Sequence, residues 1–101
     1  LNVPIQIHCA ESKKEVQENY DRLGKTQLVY LKELGLLNRP INLVHMVWPR
    51  DEDLHLLKSD NVSVVSCLQS NLKLASGIPP IARYFDEGIR IVLVWLVVTR
   101  G

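Results

Sequence analysis

The sequence predicts an α/β fold in which four parallel strands with intervening helices form a half (β/α)8 barrel or a small open sheet. Three observations predict it. Apolar, β-branched runs recur four times along the chain. Stretches of helical periodicity with start and stop signals separate them. Strands joined by helical crossovers lie parallel, because such connections are right-handed. At 101 residues the chain accommodates one domain, far short of the roughly 250 residues of a complete barrel. Any barrel here is therefore partial.

The first strand reads from Val3 to His8, with Pro4 near its start where a missing N–H is tolerated. Ser12 and Glu15 then form a capping box, and Val16, Tyr20 and Leu23 recur on one helical face until Gly24. A second helical piece places Leu28, Leu31 and Leu34 on one side, with Gly35 as its C-cap. Pro40 leads into a strand over Ile41 to Val47. Pro49 and the acidic Asp51, Glu52 and Asp53 suit the first turn of a short helix, whose apolar face is Leu54 and Leu57 and which stops near Asp60. Val62 to Leu68 reads as a strand covered on both faces. Asn71 to Ala75 is expected to form a turn of helix, and Gly77 and Pro80 break it. Ile81 to Glu87 forms another helix, ended by Gly88. Ile89 to Thr99 is the fourth strand and the most hydrophobic segment.

Composition narrows the function classes. Twelve basic and eleven acidic residues give a net charge of +1, with no basic stripe to follow a phosphate backbone, which argues against a nucleic-acid partner. The apolar run Ile91 to Val98 is shorter than the roughly 20 residues of a membrane span. A cytoplasmic location with no membrane attachment is expected. Cys9 and Cys67 are isolated thiols without metal or disulfide spacing, and read as small hydrophobes near strand ends. The chain begins at Leu1 and is expected to be a segment of something longer. Lys13, Lys14, Glu15, Glu18 and Asp21 read as the wet face of a helix, and His55 as a solvated surface residue. Trp48 and Trp95 read as packing residues.

The chemistry concentrates at the strand ends. His8-Cys-Ala-Glu11 follows the first strand, Val44-His45-Met-Val-Trp48 the second, and Ser70-Asn-Leu-Lys-Leu-Ala-Ser-Gly77 the third. An imidazole and a carboxylate at the C-terminal end of a strand occupy the positions that carry catalysis in many α/β enzymes. Together the three motifs resemble the metal-dependent amidohydrolases, in the branch of the S-adenosylhomocysteine/5-methylthioadenosine deaminases and chlorohydrolases. The resemblance covers about Val3 to Leu93 and implies that these are the fifth to eighth strands, the C-terminal half of a barrel. It implies zinc or iron as the metal, His8 as a metal ligand, Glu11 as a proton shuttle and His45 as a histidine near the attacking water. Asn71 falls at the substrate end of the pocket.

The departures are equally specific. The family's His-x-His strand has no counterpart here, Ser66 stands where a histidine is frequent, and Leu68 stands where a proline is common. Leu96 occupies the place of the eighth-strand aspartate. A catalytic zinc site takes three protein ligands and a water, so the chain alone is expected to be an inactive fragment, with no metal or only a weakly held one. On this reading it acts on an amino-purine-type small molecule only when a complementary half-barrel completes it. The alternative is a catalytically silent α/β domain with a structural or interaction role. Either way a homo-oligomer is expected, since an isolated half-barrel leaves strand edges unpaired.

Overall fold

The computed structural model describes residues 4–67 and 79–94. Ile5 begins the sheet by donating its N–H to the Pro40 carbonyl at 3.0 Å. Strand β1 (Ile5–Cys9) pairs in parallel with β2 (Ile41–His45), β2 with β3 (Val62–Cys67), and β3 with β4 (Ile91–Val94), so the spatial order follows the chain order. Helices α1 (Lys13–Leu23) and α2 (Gln27–Glu33), with a 3₁₀ turn (Leu36–Asn38), connect β1 to β2. Helix α3 (Asp51–Leu57) connects β2 to β3, and α4 (Ile81–Asp86) precedes β4. Four parallel strands in sequential order are the architecture of an arc of a barrel.

Local chemistry explains the helix boundaries. Ser12 Oγ accepts the Glu15 N–H at 3.2 Å, and Thr26 Oγ1 accepts the Val29 N–H at 3.2 Å, each satisfying an amide that the first turn leaves without a partner. Helix α1 stops at Gly24, whose φ of 71° is the left-handed cap and whose N–H bonds to the Tyr20 carbonyl at 2.8 Å. Helix α2 runs only to Glu33. Leu34 is its C-cap and points outward, 58% exposed, while Leu28 and Leu31 are buried. The expected three-leucine stripe is thus two residues long, because the chain leaves the helical path at Gly35, with φ 80°.

One face of the sheet holds the core. Ile5, Ile7 and Cys9 alternate with Gln6 and His8, and the register carries this alternation across the sheet. Ile41, Leu43, Val62 and Val64 pack with Leu28, Leu31, Leu54, Leu57 and Tyr84 on the helix side. Complete burial of a leucine such as Leu43 contributes about 2 kcal/mol. The opposite face carries Gln6, Asn42 and Ser63 in one cross-strand row and His8, Val44, Val65 and Val92 in the next. Ser63 and Val65 are only half-buried. The expectation that β3 is covered on both faces fails among the described residues, because the crossovers put every described helix on the same side.

Element limits differ from the sequence reading in three more places. Strand β2 ends at His45 rather than Val47, because His45 and Met46 adopt φ of 84° and 43°. Helix α3 ends at Leu57, and a turn follows in which Val62 N–H reaches the Ser59 carbonyl at 3.1 Å. Strand β4 starts at Ile91, because the Ile89 N–H is taken by the Tyr84 carbonyl in the turn after α4. The expectations for Val3, Leu68, Asn71, the Asn71–Ala75 turn, Gly77, Trp95, Leu96 and the rest of the fourth strand lie outside the described residues. Among those residues, no helix is long and apolar enough to cross a membrane.

Candidate metal centre

The site is built where β1 and β2 end. Strict alternation would put His45 on the helix side with Ile41 and Leu43, away from His8. The left-handed backbone at His45 breaks that alternation and brings the ring of His45 to that of His8, at 3.0 Å between His45 Nε2 and His8 Nδ1. The ring centroids lie 5.0 Å apart. A non-glycine residue in this region costs roughly 1–2 kcal/mol, although histidine tolerates it better than most. Ala10, with φ 52°, makes the corresponding bend after β1, and Glu11 follows it with Oε2 3.8 Å from His45 Nε2.

Backbone bonds lock the two bends together. Met46 N–H donates to the Cys9 carbonyl at 2.9 Å, and the N–H groups of Val47 and Trp48 both donate to the Ala10 carbonyl, at 3.0 and 3.1 Å. From behind the sheet, the buried Tyr84 hydroxyl donates to the Met46 carbonyl. Lys13 lies over the Trp48 ring at 4.6 Å, so this lysine of the solvated helix face also covers the indole beside the site.

His8, Glu11 and His45 each offer one ligand atom, and the three atoms lie within 4.8 Å of one another. Ligands of a tetrahedral zinc with bonds near 2.0–2.1 Å stand about 3.4 Å apart. The separations of 3.0 and 3.8 Å fall on either side of that value. The imidazole–imidazole bond needs one nitrogen as acceptor, so at least one ring already presents a lone pair toward the other. Two imidazoles and a carboxylate are a donor set that zinc and ferrous iron accept. The residues present fit such a metal. Access is graded: His8 is exposed, Glu11 half-buried and His45 buried.

Beneath the centre lies a buried group that the sequence reading treated only as part of an acidic helix start. Asp53 is 3% exposed. Its Oδ1 accepts the Thr26 hydroxyl at 2.7 Å and its Oδ2 the Arg50 N–H at 2.9 Å. Burial pushes its carboxyl above the usual range, and the two hydrogen bonds act in the opposite direction. Burial likewise pushes the adjacent Cys9 thiol up to about 12, with the charges of Asp53 and Glu15 adding to it. Cys9 is thus an inert packing group. The one sequence signal for Asp53 was its place at the third position of α3, where a carboxylate can reach back to the cap amide. His55 is exposed, in agreement with its reading as a surface residue.

Residues 1–95 match the Amidohydrolase family. The chain belongs to that family. This amidohydrolase chain is 44% identical over 92 residues to a 5-methylthioadenosine/S-adenosylhomocysteine deaminase of Pyrococcus furiosus, an alignment covering 91% of this chain and 22% of that protein. A zinc-bound adenosine deaminase from Xanthomonas campestris superposes with a TM-score of 0.80 at 34% identity, over 90% of this chain and 21% of that one. A guanine deaminase from C. acetobutylicum with bound guanine superposes at 0.82 and 31%, over 90% and 22%. The chain spans about a fifth of the length of the curated relatives it matches. The resemblance read from the strand-end motifs is thus the family to which the chain belongs, and its four-stranded sheet matches part of the larger folds of those solved deaminases.

Proposed function

We propose that this chain is the part of a metal-dependent hydrolytic deaminase that carries His8, Glu11 and His45, and that it acts on an amino-purine only when the remainder of the barrel is present. The observation that carries this reading is the convergence of three ligand-type side chains from two strand ends onto one point. Relatives named as adenosine, guanine and 5-methylthioadenosine/S-adenosylhomocysteine deaminases support the substrate class.

His8, with His45 beside it, would hold the metal, which when bound would supply Lewis acidity for water activation near neutral pH. Glu11, half-buried and next to the imidazoles, takes a proton from the attacking water and passes it to the departing amine as ammonia. His45, held rigidly and largely out of solvent, orients the oxygen that becomes the product carbonyl. Overall, water and a ring C–NH2 become C=O and NH3. This chain contributes three of the required groups, and the remaining ligands and the substrate walls belong to the missing strands.

The test is complementation. A polypeptide covering the rest of a homologous barrel, mixed with this chain and Zn2+, is expected to release ammonia from adenosine-type substrates, while the chain alone does not. Glu11→Gln is expected to lower the rate by at least 100-fold. Absence of ammonia release in the mixture, or equal rates for Glu11→Gln and the parent, overturns the proposal.

A second reading rests on the sheet face that no described helix covers. Parallel sheets are found almost only with both faces covered, so a self-associating, catalytically silent domain is the alternative that this surface favours.

A further inference from the structure

We propose that Tyr84 is a positioning residue for the metal centre: its hydroxyl, from α4 behind the sheet, clamps the left-handed His45-Met46 bend that turns His45 toward His8. This rests on the reading of His8 as a metal ligand with His45 beside it. His45 and Met46 occupy a backbone conformation that most residues avoid, at φ 84° and 43°, and such a conformation persists only when its surroundings over-determine it. The Met46 N–H is held by Cys9, and the N–H groups that follow are held by Ala10. The Met46 carbonyl points the other way and is held by the Tyr84 hydroxyl.

Tyr84 is well placed to act as a clamp. It is fully buried at 0% exposure in the same core as Met46, Cys9 and Leu43. Its own carbonyl accepts the Ile89 N–H at 2.9 Å, which ties α4 to the start of β4. The ion pair from α4 to α3, Arg83 to Asp51 at 3.3 Å, is solvent-exposed and contributes little. Without the phenol hydroxyl, the Met46 carbonyl is a buried acceptor with no other donor among the described residues. The bend then relaxes toward ordinary strand geometry, in which alternation carries His45 away from His8. A tyrosine on a helix behind the sheet would thus tune ligand geometry from the far side, as outer-shell partners of metal ligands do.

Tyr84→Phe removes the hydroxyl and keeps the ring. Hydrogen exchange and histidine side-chain NMR on the full chain, together with zinc titration, test the inference. The variant is expected to keep the exchange protection of Leu43 and Val64, while Met46 and Val47 exchange at least tenfold faster. It is also expected to lose the signal of the His8–His45 imidazole hydrogen bond, and to bind zinc about tenfold more weakly. Unchanged Met46 exchange and an unchanged imidazole signal in a folded variant overturn the clamp. Equal loss of protection across the whole sheet also overturns it, by making Tyr84 a general packing residue. If the parent chain takes up no zinc, the ligand reading fails, and the clamp is decided by the exchange and imidazole signals alone.

Discussion

Asp53 holds together two helix starts that lie far apart in sequence. Its carboxylate takes the Thr26 hydroxyl at the head of α2 with one oxygen and the Arg50 N–H at the head of α3 with the other. Truncation to alanine leaves both donors buried and unpaired, and each such group costs about 1–3 kcal/mol. Asp53→Ala is therefore expected to lower the urea unfolding free energy by about 3 kcal/mol. The charge state adds a pH signature. Because the folded-state pKa is raised, mainly by burial, the stabilising contribution of proton uptake is fully present below the ordinary carboxyl value of 3.8 and is lost as pH rises through the folded-state value. The stability advantage of the parent over Asp53→Asn is thus expected to be largest at acid pH and to shrink toward neutrality. An advantage that grows between pH 4 and pH 7 would show that the carboxylate form is the favoured one. The sequence marks this residue only by its third place in α3; Asp51, Glu52 and Asp53 all suit a helix N-terminus, and packing selects which one is buried.

At the scale of elements, the two capping residues look alike in sequence and differ in context. Ser12 caps α1, none of whose residues is fully buried, and Ser12→Ala is expected to cost about 1 kcal/mol. Thr26 caps α2 and also donates to Asp53, so Thr26→Ala is expected to cost roughly twice that. A double-mutant cycle of Thr26 and Asp53 by urea unfolding checks the difference, with a coupling of about 1 kcal/mol or more expected. Equal costs for Ser12→Ala and Thr26→Ala, with no coupling, would place the Thr26–Asp53 bond outside the energetics. Strands and helices were legible in the sequence because β-branched runs, capping pairs and glycine stops are local signals. Their ends were less legible. Leu34 continues the apolar period of α2 yet falls after its last turn, and Met46 and Val47 continue an apolar run after the backbone has already left the strand.

For the molecule as a whole, the unfinished business is one face and two edges. The described helices all pack on one side, leaving Gln6, His8, Asn42, Ser63 and Val92 on a face that no described helix covers, and among the described residues β1 and β4 each pair along one edge. Val92 and Leu93 are 45% and 55% exposed on the β4 edge. Such edges recruit other strands. Sedimentation of the purified chain is expected to show concentration-dependent association in the micromolar range, weakened by Val92→Lys. A monomer at all concentrations would rule out self-association as the way this face is covered. On the proposed function a complementary half-barrel offers the other cover, and its addition is then expected to displace the self-associated form.

The order of the four strands, their parallel sense, the strand-end positions of His8, Glu11 and His45, and membership of the amidohydrolase family were all determined by the sequence alone. Hydrophobic period, caps and motifs are read along the chain. Only the tertiary structure decided that the three side chains meet. By strand alternation His8 and His45 belong to opposite faces, and a left-handed bend, zipped to the neighbouring strand end and held from behind by Tyr84, puts them 3.0 Å apart. The left-handed bend at His45 and Met46 is held by partners 35 residues before His45 and 39 after it, those being the Ala10 carbonyl and the Tyr84 hydroxyl, and no pattern local to His45 encodes it.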